Sequence, residues 1–128
     1  LTRREQLIVS DIMYSEVPLV SELHQFGGCL DAIGICRAMS NAHALFDWKS
    51  SNALYADYLY QIGAYRLLWQ ENYPDVPIEG GFHLCRFDKE TGDFNHKYFS
   101  ELDAEQETFL LLRKLYDRVK VSEKRIKA

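Results

Sequence analysis

Long apolar runs, cysteine motifs and a basic surplus are all missing from this 128-residue chain, and each absence excludes something. No uninterrupted apolar run approaches the ~20 residues needed to cross a bilayer, so a membrane protein is not expected. Cysteine is scarce: Cys29, Cys36 and Cys85 cannot all pair, and none stands in a C-x-x-C spacing. Zinc and iron–sulfur chemistry therefore have little support, and buried reduced thiols in a cytosolic protein are the expectation. A formal charge of −4 argues against holding nucleic acid by bulk electrostatics alone. It leaves room for an enzyme that grips a few phosphates locally, because metal ions supply positive charge where acidic side chains cluster. No Pro/Gly-rich linker, repeat or low-complexity tract divides the chain, so one domain over 1–128 is expected, with an N-terminal extension left open. No basic, then apolar, then small-residue pattern opens it, so no signal peptide is expected.

What is present is a hydrophobic share of 47% against 27% charged, the balance of an ordinary globular chain. Periodicity predicts a helix over 2–13, with Thr2 as cap, and a strand over 17–26 with Pro18 near its start. Gly27-Gly28 reads as a turn into a second strand over 29–37, and Ser40-Asn41 as a turn into a third over 42–49. These three strands form an antiparallel meander. Ser50, Ser51 and Asn52 offer caps for a helix over 53–71 that stops before Pro74. A strand over 81–87, a Thr91-Gly92 hairpin turn and a strand over 95–99 follow. A capping box at 100–103 opens a last helix, with Phe109, Leu112, Leu115, Tyr116 and Val119 as its apolar stripe. Its many basic residues read as a solvated face rather than a DNA-contacting arm. The fold class is α/β with a mixed sheet, the fourth strand parallel to the third across the helical crossover.

The chemistry-bearing segment is Leu45-Phe46-Asp47-Trp48-Lys49. On a strand, Asp47 and Lys49 share one face while Phe46 and Trp48 share the other. An acid and a lysine on an apolar strand are costly to bury without a purpose. Asp31 stands alone in another apolar run one strand earlier, so pairing of the two strands can bring Asp31 and Asp47 together. Two carboxylates sharing a site repel unless a proton or cation intervenes, and oxygen ligands select hard ions such as Mg²⁺ or Mn²⁺. The alternative is a pair of strand-end carboxylates, one salt-bridged to Lys49.

Gly28-Cys29-Leu30-Asp31, then Asp47-Trp48-Lys49-Ser50, then Gln61-Ile62-Gly63-Ala64-Tyr65 resembles the PD-(D/E)XK nuclease superfamily, in its RecB-like and phage-exonuclease branch. The motifs G-x-x-D, D-x-K-[ST] and Q-x-x-x-Y occur in order over about half the chain. The resemblance implies a restriction-endonuclease-like core, a mixed sheet of about five strands flanked by helices. It implies Asp31 and Asp47 as ligands of Mg²⁺ or Mn²⁺, with the Trp48 backbone carbonyl as a third, and Lys49 as the catalytic lysine. Gln61 and Tyr65, i and i+4 on one helix face, would contact substrate DNA together with Ser50 and Ser51. Glu16, in Ser-Glu-Val-Pro, is the preferred upstream acid, with Glu5 as alternative. Tyr58 shares the helix face and could stack on an unpaired base, core packing being the other reading. His24, His43, His83 and His96 read as surface or strand polar residues rather than ligands.

The function so implied is a metal-dependent deoxyribonuclease, exonucleolytic, serving recombination, repair or viral DNA processing. Its place would be the cytoplasm of a prokaryotic cell or infected host, with oligomerisation left open. Two other classes stand beside it: a catalytically silent nucleic-acid-binding or assembly module on the same fold, and an enzyme using Asp31 and Asp47 as an acid/base pair.

Overall fold

Alternation of apolar residues along three successive segments, each within reach of the last, builds the meander first. In a computed structural model, residues 11–36 and 40–128 are described. Strand β1 (Asp11–Ser21) pairs antiparallel with β2 (Phe26–Cys36), which pairs antiparallel with β3 (Ala42–Ser50). Helix α1 (Ala56–Asn72) crosses over, and β4 (Ile78–Phe87) lies parallel to β3. Strand β5 (Phe94–Phe99) turns back antiparallel to β4, and α2 (Asp103–Lys127) ends the chain. The result is one mixed sheet in the order β1-β2-β3-β4-β5, an α+β arrangement in which α1 packs on β1, β2 and β4 and α2 packs on α1. No helix among the described residues is long and apolar enough to cross a membrane.

The sheet separates two apolar clusters. Leu30, Ile33, Leu45, Leu84 and the α1 residues Ile62, Leu68 and Trp69 form the larger one. Ala32, Cys36, Ala44 and Phe46, with Trp48 against them, form the other. Because side chains alternate along β3, the second cluster occupies the opposite face. Leu30 and Ala32, two apart, belong to different clusters, which a regular pleat forbids, so β2 rolls at Asp31. Beside this roll Glu16 takes a left-handed φ of 51°, between Ser15, paired with Ala32, and Val17, paired with Leu30.

Several boundaries differ from the sequence expectation. The helix expected over 2–13 falls largely outside the described residues, and its last three, 11–13, are strand. Ile12 finds a ladder partner in Gly34, and such pairing overrides local periodicity. The first turn lies at 22–25, not at Gly27-Gly28: Gln25 adopts a φ of 57°, and Ser21 Oγ accepts the His24 N–H at 3.0 Å. The two glycines sit inside the β1–β2 ladder. A Cβ on Gly28 would stand 3.0 Å from Tyr65 Cε1, so glycine there admits α1 close to the sheet. Helix α1 starts at 56, its cap Tyr55 making no side-chain capping bond, because Ser51 Oγ donates to the Ala53 carbonyl and Asn52 accepts from the Tyr55 hydroxyl. Helix α2 starts at 103 rather than 100 and likewise lacks a side-chain cap; Leu102 turns into the core instead. A Cβ on Gly63 would lie 2.8 Å from the Gln106 amide nitrogen, which marks where the two helices meet.

Candidate active site

Alternation along β3 sends Asp47 and Lys49 to the α1 side with Leu45, and alternation along β2 puts Asp31 there with Ile33, the ladder partner of Leu45. The two strands are tied there by the Trp48 N–H, which donates to Asp31 Oδ2 at 2.8 Å. Asp47 is only 1% exposed, and Lys49 Nζ stands 3.1 Å from its Oδ2. Burial pushes the Asp47 carboxyl up to about 7, against the Lys49 charge that lowers it and with the Asp31 charge that raises it. Lys49 Nζ also donates to Gln61 Oε1 on α1 and lies 5.1 Å from the centre of the Tyr58 ring. Burial first, then the charges of Asp47, Asp31 and Cys29, push the Tyr65 hydroxyl up to about 12. Asp31, Asp47, Lys49, Gln61, Tyr58 and Tyr65 thus form one neighbourhood, drawn from two strands and one helix.

Other residues expected at the site have different surroundings. Glu16 is exposed, and it is not among the charges acting on Asp47. Glu5 lies outside the described residues. Ser50 is exposed at the end of β3, and the Ser51 hydroxyl is engaged with Ala53. Arg86, paired in register with Lys49 across the β3–β4 ladder, was not anticipated. It is buried and donates to the Ser51 carbonyl at 2.9 Å and to Asn95 Oδ1, so it holds the loop between β3 and α1. A charged residue inside the apolar run Leu84-Cys85-Arg86-Phe87 was the available signal.

His83 and His96 are strand residues, one of the two expected placements. His83 is buried, its Nδ1 lies 2.8 Å from His96 Nε2, and its ring stacks on Phe46 at 4.5 Å. Burial, reinforced by His96, pushes His83 down to about 4. This pair is on the face away from the carboxylates. Of the cysteines, Cys36 and Cys85 are buried as expected, Cys29 is exposed, and no disulfide joins them.

A hard divalent cation suits the carboxylate pair by the chemistry of its donors. Asp47 Oδ2 supports the fit: it is buried and, despite the nearby ammonium, accepts no well-directed hydrogen bond from the described residues. Among those residues no group of three or more His, Cys, Asp or Glu side chains is placed to hold a metal, so water or backbone oxygen would complete the shell.

No family model matches the chain, and no curated protein matches it. Among solved structures it is similar to the crystal structure of a candidate exonuclease from Eubacterium rectale, with a TM-score of 0.56 and 14% identity. The alignment covers 90% of this chain and 46% of that one, so the chain spans about half that protein's length. At this identity the likeness is one of fold.

Proposed function

We propose that the chain is a Mg²⁺- or Mn²⁺-dependent nuclease of the PD-(D/E)XK kind that hydrolyses DNA phosphodiester bonds from strand ends. The observation that carries this reading is the meeting of Asp31, Asp47 and Lys49 at one point, where Asp47 is 1% exposed and the other two are half-buried. The fold shared with a candidate exonuclease supports it. Asp31 and Asp47 would hold the cation; when bound, it polarises the phosphodiester and lowers the pKa of an attacking water.

The remaining roles follow from this chain's own contacts. The Trp48 N–H fixes one Asp31 oxygen, so that carboxylate is oriented in advance. Asp47 and Gln61 hold the Lys49 ammonium from a strand and a helix. A cation positioned before substrate arrives stabilises charge developing on phosphate without reorganising at the moment of reaction. Gln61 and Tyr65 line the approach from α1, where they would meet the DNA strand.

The test is digestion of end-labelled linear DNA and closed circular DNA with Mg²⁺ or Mn²⁺, and with EDTA. Linear DNA should be degraded only with metal, and the circle should survive. Lys49→Ala and Asp47→Asn should each lower the rate by ~10²-fold or more, the usual cost of removing one preorganised electrostatic group, with circular dichroism unchanged. Cleavage at the wild-type rate by either folded variant would sink the assignment; metal-independent binding without cleavage would point to a silent module instead.

A further inference from the structure

Next to the carboxylates lies a cavity of about 810 Å³ between α1, α2 and the start of β2, a volume within the ~300–1,000 Å³ of sites for small organic groups. Rings make up much of its wall: Phe26, Tyr58, Tyr60, Tyr65, Phe109 and Tyr116, with Gly27 and Gly28 leaving the strand side bare. Phe26 and Phe109 brace one another at 4.8 Å between centroids, while Tyr116 is 55% exposed at the rim. Aromatic surfaces at a nucleic-acid site stack on bases, and they do so with little regard to sequence because every base has a π-face.

Two further observations say what the cavity takes. First, it shares wall residues with the candidate site: Tyr58 and Gln61 line it, and both also contact Lys49. Second, its polar lining is mixed rather than a cluster of cations: Gln61 and the tyrosine hydroxyls donate and accept, Asp57 accepts, and Arg113 is the one cation among its lining residues. Arg113 already spends its Nη atoms on Asp117 and the Gln25 carbonyl. A lining with a carboxylate and a single, already paired guanidinium is a poor phosphate cradle, while its amide and hydroxyls present both polarities needed by the edge of a base.

We propose that this cavity receives unpaired terminal bases of a DNA strand whose backbone enters the Asp31–Asp47–Lys49 site, so that the substrate class is a single-stranded end. The proposal rests on the nuclease reading of that site. Bases inside a duplex are already stacked on their neighbours and offer no free face to Tyr58, Tyr65 or Phe109.

The test is fluorescence anisotropy in EDTA, where no cleavage occurs, with a short single strand, the same strand made abasic at its terminal positions, and a blunt duplex. Wild type should bind the base-bearing strand about tenfold or more tighter than the abasic strand, as loss of a stacked base predicts, and tighter than the duplex. Tyr116→Ala strips the rim and Leu112→Trp fills the cavity; both positions are substantially exposed, at 55% and 47%, so the fold should tolerate them. Each should bring base-bearing binding down to the abasic level. Equal binding of the two strands by wild type, or undiminished discrimination by both variants, would overturn the proposal. Cleavage with Mg²⁺ or Mn²⁺ is read separately: cleavage without base discrimination removes the cavity's role alone, and base discrimination without cleavage removes the nuclease reading and leaves the cavity as a base-binding site.

Discussion

The two faces of this sheet each bury an ionisable side chain, and they do it by different means. On the α1 face, Asp47 lies against the Lys49 ammonium and a second carboxylate, with the lysine anchored again by Gln61. On the other face, His83 lies among Phe46, His96 and Tyr98, where rings stack on it from several sides. Burial acts on both groups through the same cost of charge in low dielectric, yet in opposite directions. The carboxyl is neutral when protonated and is driven up to about 7; the imidazole is neutral when deprotonated and is driven down to about 4. One face compensates its buried charge in part, through Lys49, and the other excludes charge by packing.

The sharpest way to break that contrast is Phe46→Ala. Phe46 is fully buried and stacks on both His83 and Trp48. Its truncation should cost ~3–5 kcal/mol in urea denaturation, the range for large aromatic core deletions. It should also let the His83 pKa rise toward its ordinary value, which NMR titration of the imidazole protons would show. A loss below ~1 kcal/mol would mean that the far face is not held by ring packing.

The near face was far more legible in sequence than the far one. Asp47 and Lys49 sit two apart on a strand with apolar neighbours, so period-2 alternation alone put them on one face. Asp31 needed only that consecutive strands pair, which the short connection favours. The His83–His96 contact depends on hairpin register across Thr91-Gly92, with His83 opposite Tyr98 and His96 opposite Cys85, and local spacing says nothing about it. The strand at 11–13 was hidden for the same reason, since its ladder partner Gly34 lies about twenty positions away. Gly27 and Gly28 misled differently. Their lack of a side chain serves the approach of Tyr65 and Leu68 from α1, not a change of chain direction. The helix caps failed because the loop before α1 spends Ser51 and Asn52 on its own hydrogen bonds.

A finer comparison comes from acidification without added divalent ions. Asp47 has a folded pKa of about 7 above its ordinary 3.8, so the folded state binds the extra proton between those limits. Its contribution to stability therefore grows as pH falls through about 7 and is complete below the unfolded value. His83 has a folded pKa of about 4 below its ordinary 6.5, so the unfolded state binds the extra proton, and stability is lost as pH falls from 6.5 toward 4. Within the shared window the two slopes oppose each other, each at most ~1.4 kcal/mol per pH unit. Relative to wild type, His83→Gln should gain stability on acidification from pH 6.5, because only the carboxyl term remains. Asp47→Asn should lose stability over the same range, because only the imidazole term remains. Denaturation midpoints of the three proteins plotted against pH should therefore fan apart, with wild type between the variants. Three parallel curves would show that neither face holds its buried group in the neutral form, and the distinction between compensated and excluded charge would fall with them.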